Sequence, residues 1–271
     1  MSWLRDAVVP QELHGAPPSL WVRHPSVVLR ATLLLAFLDL TVTCRHLRTH
    51  PDAPDFGPVA PPVVPSRLGL PQAALHPVPT SADPGEGRIS LADALEGVAC
   101  PAAPVAVIET SMGTLRCDLW PDRAPTSVAW FAALARGRRD FWDPLEGAWT
   151  RAPFYDGTVF HVARSGRWIQ GGDRLRTGDG AFGFSFADEN TSPHDRAGLL
   201  CMGSAGPNDN RGQFAILVEP RPSLDGRYPI FGRCGPTALV DAISEVPVTA
   251  ERPRVPVFVR SVRIGCREGA S

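Results

Sequence analysis

Proline placement divides this chain before any motif is weighed. Its 271 residues hold 29 prolines, and they crowd the first hundred positions. Across residues 45–103 they fall at Pro51, Pro54, Pro58, Pro61, Pro62, Pro65, Pro71, Pro77, Pro79 and Pro84. A proline fixes φ and has no N–H to donate, so neither a helix interior nor a paired strand tolerates such a run. The stretch is expected to be an extended, semi-stiff linker of polyproline-II character. One short helix is expected inside it, from Ser90 to Glu96, with Ser90 as cap and Asp93 three residues later. A packed fold is therefore expected to begin near Pro104 and to run to about residue 267.

Residues 1–44 precede the linker. Their apolar part, Ala31 to Leu38, stops at Asp39 and is too short to cross a bilayer, which takes about 20 apolar residues. It suffices for the core of an export signal, about 7–15 residues. Export is the expectation, with Cys44 considered as a lipid-modified residue; an ordinary amphipathic helix in a cytoplasmic protein is the alternative. A membrane tether through the N-terminus, a spacer and a folded C-terminal domain make one coherent plan.

The formal net charge is −1, and no lysine occurs, so nothing advertises a nucleic-acid partner. Cys44, Cys100, Cys117, Cys201, Cys234 and Cys266 form no close pair, so no metal site is expected. Cys117, Cys201 and Cys234 sit among apolar neighbours and are read as small buried hydrophobes.

Within 104–267 the pattern is short strands broken by glycine and proline. Val105–Thr110 and Thr114–Trp120 read as a hairpin about the turn Ser111-Met112-Gly113. A helix starts at Pro125-Thr126-Ser127, places Val128, Phe131, Ala132 and Ala135 on one face, and ends at Gly137. Residues 138–152 read as a polar loop carrying Trp142 and Trp149, either packed as lids or exposed to a partner. Phe184-Ser185-Phe186 and Pro229–Cys234 read as strands, Thr237–Glu245 as a helix and Val255–Ile264 as a closing strand. That alternation implies a mainly β fold: a closed barrel capped by two helices.

Two segments carry more. Residues 153–173 read PFYDGTVFHVARSGRWIQGGD, a turn at Asp156-Gly157, a short β-rich run and paired glycines. Residues 199–218 read LLCMGSAGPNDNRGQFAILV. Together with ETSMGTLR at 109–116, APTSV at 124–128 and LDGRYPIFGR at 224–233, they resemble the signature segments of the cyclophilin family of peptidyl-prolyl cis-trans isomerases, in the family's order. The resemblance implies an eight-stranded antiparallel barrel over 104–267, no cofactor, Pro-containing peptide or protein clients, and a monomer. Because the family's first and last strands lie close, it also implies that Cys100 and Cys266 can meet in an exported protein.

Rotation about an X–Pro bond crosses a barrier of about 18–20 kcal/mol because it breaks amide resonance. Catalysis needs only an apolar pocket for the ring, polar groups for the peptide carbonyls, and a donor aimed at the prolyl nitrogen. In cyclophilins that donor is the Arg following the Phe-His pair; here Phe160-His161 is followed by Val162. Arg164 and Arg167 are the candidate replacements, since a guanidinium is long and always charged. Gln170 and Gln213 match the family's backbone-holding glutamines, and Ala205 and Leu224 match pocket positions. His161 also matches by identity and is counted with these substrate-binding candidates, read as a hydrogen-bonded structural histidine and not a proton shuttle, since the reaction needs no general base. Ala215 stands for a usual Phe, Trp168 for Met, Ser204 for Asn, Ser223 for Trp and Tyr228 for His, which reshapes the pocket. Reduced activity is expected, and a silent module that only binds Pro-containing peptides is the rival expectation.

Overall fold

A computed structural model describes residues 79–178, 180, 183–189 and 192–267. The expected export signal, Cys44 and the linker prolines before Pro79 lie outside the described residues.

A short helix comes first, α1 (Leu91–Leu95), capped by the Ser90 hydroxyl accepting from the Asp93 N–H. Hairpin β1 (Val105–Thr110) and β2 (Gly113–Leu119) follows. Then α2 (Pro125–Ala135) begins with proline at N1, where no N–H is missed. Its next two N–H groups, those of Thr126 and Ser127, donate to the Glu189 carboxylate at 2.7 Å each. Strands β3 (Phe141–Asp143), β4 (Ala148–Thr150), β5 (Val159–Phe160), β6 (Val162–Arg164), β7 (Trp168–Gly171), β8 (Leu199–Ser204), β9 (Asn210–Leu217) and β10 (Ile230–Gly235) come next. Helix α3 (Thr237–Ser244), β11 (Val248–Thr249), β12 (Arg252–Pro253) and β13 (Val257–Gly265) complete the order.

Nine of these strands form one antiparallel sheet in the order β5-β13-β1-β2-β10-β8-β9-β7-β6. Strands β5 and β6 are two halves of one run, parted at His161. Since β5 pairs with β13 and β6 with β7, the sheet returns on itself. Counted so, it is the expected eight-stranded barrel, nearly closed, with α2 and α3 as the two helical caps. Its interior holds Phe131, Tyr155, Phe160, Phe214, Ile216 and Phe231, all essentially inaccessible. Phe131 packs against Tyr155, Phe214 and Phe231 with ring centroids 4.9–5.7 Å apart.

Four expectations need correction. Residues 138–152 form the hairpin β3–β4, not an irregular loop; Trp142 is buried, and Trp149 packs edge-on against it at 5.9 Å. The strand expected at Phe184–Phe186 reduces to a single bridge, Phe186 to Asn210, because both phenylalanines turn inward to stack on Trp130. Cys117 and Cys234 are disulfide-bonded: they are register partners on β2 and β10, so both side chains leave the same face. Cys201 stays a free buried thiol, and Cys100 bonds Cys266.

The fourth concerns the end of the linker, because residues 79–103 lie on the barrel. Asp83 forms an ion pair with the buried Arg139, and Asp83 carboxylate oxygens accept from the Gly85 and Gly87 N–H groups. The Trp149 indole donates to the Ser81 carbonyl, and α1 packs on α2. Proline forbids regular structure, but it does not forbid docking. Among the described residues, no helix is long and apolar enough to cross a membrane.

Candidate active site

One face of the sheet carries the site, because strand alternation sends every second side chain there. Register aligns Val162 (β6), Gln170 (β7), Ala215 (β9) and Cys201 (β8) in a row across four strands. The adjacent row is Arg164, Trp168 and Leu217. Over these rows lies an apolar cavity of about 120 Å³ whose walls include Trp168, Met202, Ala215, Leu217, Leu224 and Tyr228. Leu224 reaches it from a 3-10 turn, Pro222–Leu224, closed by the Leu224 N–H donating to the Arg221 carbonyl.

Beside the cavity opens a polar recess of about 310 Å³ formed by Gly178, Gly180, Ala205, Arg211 and Gln213, with Gln170, Gly203 and Ser204 shared between the two. Gly203 keeps the passage open. A Cβ there would lie 2.9 Å from the Gln213 Cβ, closer than side chains pack. The Gln170 Nε2 donates to Gln213 Oε1 at 2.8 Å, and Gln213 Nε2 donates to the Gly178 carbonyl at 2.9 Å. This relay fixes both amides at the junction of cavity and recess. Nearby, Gly172 at φ +82° lies under Phe214, and a Cβ would come 3.1 Å from that ring.

Of the residues singled out from sequence, Gln170, Ala205, Gln213 and Leu224 line this double site. His161, also a substrate-binding candidate, is instead buried at the break between β5 and β6 and lines neither part. The two arginines are not brought in. Arg164 lies over the Trp168 ring at 4.4 Å and pairs with Glu251 at 2.7 Å. Glu251 belongs to the β11–β12 turn, whose carbonyl also accepts from the Ala163 N–H. Arg167 is exposed in the β6–β7 turn. Sequence reasoning passed over Arg211. The available signal was its place two residues before Gln213; the register shift at Gly212 (φ +90°) is what the sequence pattern did not show.

Burial raises the Cys201 thiol pKa far above its ordinary value, so this wall of the cavity is chemically inert. Tyr155, donating to the Gly212 carbonyl at 2.9 Å, is likewise raised by burial and stays neutral.

The nearly closed antiparallel barrel thus carries an apolar cup and an amide-lined groove on one face. The comparisons name its family. Residues 105–264 match the family described as cyclophilin type peptidyl-prolyl cis-trans isomerase/CLD. A peptidyl-prolyl cis-trans isomerase B of Streptomyces anulatus is 39% identical over 173 residues, 60% of this chain and 97% of that protein. A peptidyl-prolyl cis-trans isomerase A of Mycobacterium tuberculosis is 38% identical over 169 residues, 60% and 93% of the two chains. The crystal structure of a Cryptosporidium parvum cyclophilin-type isomerase superposes with a TM-score of 0.53 at 28% identity, covering 61% of this chain and 99% of that one. A second crystal structure of that protein, in the presence of the dipeptide Ala-Pro, gives 0.51. The chain belongs to the cyclophilin-type peptidyl-prolyl cis-trans isomerase family, a class of enzymes.

Proposed function

We propose that this protein isomerises X–Pro bonds in extended segments of protein clients, at a rate held down by Val162, and that it thereby assists their folding. The observation that carries the reading is the junction of cavity and recess. The cavity suits a proline ring, and the Gln170–Gln213 relay presents amides where the flanking peptide groups would run. Desolvation of the ring and fixed amides lower the barrier by binding the twisted bond better than the planar one. With valine beside Gln170, no guanidinium meets the prolyl nitrogen as its lone pair localises, so that part of the stabilisation is missing. Val162, together with the engagement of Arg164 by Glu251, favours a second reading, a module that binds such peptides without turning them over.

The disulfides Cys117–Cys234 and Cys100–Cys266 support an exported domain, because such bonds persist in oxidising compartments. We place it outside the cytoplasm, as a monomer, tethered through its N-terminus. The test of function is cis–trans exchange of an Ala-Pro peptide by NMR at equilibrium, with the full chain and with Gln170→Ala. Exchange above the uncatalysed rate, cut by roughly tenfold or more in the variant, is expected. Peptide-induced shifts with no acceleration would establish the binding module instead.

A further inference from the structure

We propose that Arg211 makes this site prefer peptides that carry a carboxylate side chain near the proline, on the side that runs into the polar recess. The inference rests on the peptide-binding reading above and adds a substrate class to it. Strand β9 lays out the track: Leu217, Ala215 and Gln213 leave the same face, two residues apart each time, and beyond the register shift at Gly212 (φ +90°) Arg211 lines the same recess as Gln213. The first two line the apolar cavity, and the last two line the recess. A chain whose proline occupies the cavity and which continues over Gly203 and Ser204 therefore enters the recess that Gln213 and Arg211 both line.

The recess is roomy because Gly178, Gly180, Gly203 and Ala205 supply little side chain, and its volume of about 310 Å³ exceeds that of the proline cup. Among the described residues lining it, Arg211 carries the one formal charge. Asp209 grips the guanidinium through Nε at 2.6 Å and through Nη2, and this hold raises the Arg211 pKa further. Asp209 itself does not line the recess. Among the described residues the recess therefore meets the guanidinium of the pair and not its carboxylate, and Nη1 has no partner there. A peptide carboxylate entering there gains a charge-assisted hydrogen bond, whereas a lysine meets like charge. Arg211 is 40% exposed, so water and salt screen the effect and keep it modest.

The test uses the full chain and Ala-Pro peptides identical except for Glu, Gln or Lys, placed two residues before the proline in one series and one residue after it in the other. Affinity is read by NMR titration at low salt. In one series Glu should bind about three- to fivefold more tightly than Lys, and the ratio should shrink at high salt. The ratio should fall to about one in Arg211→Gln and rise in Asp209→Asn, which releases the guanidinium. The Glu-to-Lys ratio, not absolute affinity, is the readout, and preserved barrel spectra certify each variant's fold. An unchanged ratio in Arg211→Gln, or no charge discrimination in either series while the Gln peptides bind, overturns the proposal and leaves the isomerase reading standing. Failure of every peptide to bind the wild-type chain overturns both.

Discussion

Trp168 holds two functions in one side chain. It walls the apolar cavity beside Ala215, and its ring carries the Arg164 guanidinium at 4.4 Å. Replacing it with alanine removes most of that wall, worth about 1.5–3 kcal/mol of apolar contact. Trp168→Ala should therefore weaken binding of an Ala-Pro peptide at least tenfold in an NMR titration; an unchanged affinity would place the proline elsewhere. Cys201 gives a second residue-scale expectation. Fully enclosed and with its thiolate suppressed by burial, it should resist a thiol reagent at neutral pH in the native protein and react only as denaturant opens the barrel. Rapid native labelling would contradict its place behind the cavity. At this scale much of the lining of the two cavities was legible in the sequence, because Gln170, Gln213, Ala205 and Leu224 stand inside short motifs with fixed spacing. The fate of Arg164 was not, because the acid that captures it, Glu251, lies on a hairpin remote in sequence.

Among the elements, the β2–β10 pair carries a disulfide across its ladder, and the 79–89 segment carries a buried ion pair. Cys117–Cys234 closes a 117-residue span between facing strands, which in the chain-entropy account stabilises by about 2–5 kcal/mol. A Cys117→Ala/Cys234→Ala double variant should lose stability of that size in urea unfolding, and a reductant should no longer shift its midpoint through this bond. Asp83 supplies the charged anchor of the 79–89 segment, beside the Trp149–Ser81 bond and the packing of Ile89 on the core. Burial alone would raise the Asp83 pKa, but its bonds to Arg139 and to the Gly85 and Gly87 N–H groups lower it overall. A depressed folded pKa contributes stability that is present above the unfolded value of about 4 and lost as pH falls through the folded value. The segment should therefore stay docked at neutral pH and loosen below about pH 4, seen as faster exchange of the Trp149 indole proton once its Ser81 acceptor leaves. Asp83→Asn should exchange fast already at pH 7, and protection in that variant would show another anchor. These contacts escaped sequence reading for a physical reason: a proline-dense strap has no periodicity. The three-residue strands of β3–β4 are likewise too short to show alternation.

For the molecule as a whole, the barrel was legible because its strands end at glycine and proline turns and its motifs fall in family order. Its closure depends on the break at His161, which lets one run pair with β13 on one side and with β7 on the other. The central claim is that this closed barrel presents a complete peptide track with one group missing, at the position where Val162 meets Gln170. Restoring that group is the direct test. Full-length wild type, Val162→Arg and Arg164→Ala would be compared by NMR exchange on one Ala-Pro peptide. The account predicts slow catalysed exchange in wild type, a gain of at least about tenfold in Val162→Arg, and little change in Arg164→Ala. Equal rates in wild type and Val162→Arg, or a collapse on removing Arg164, would contradict it.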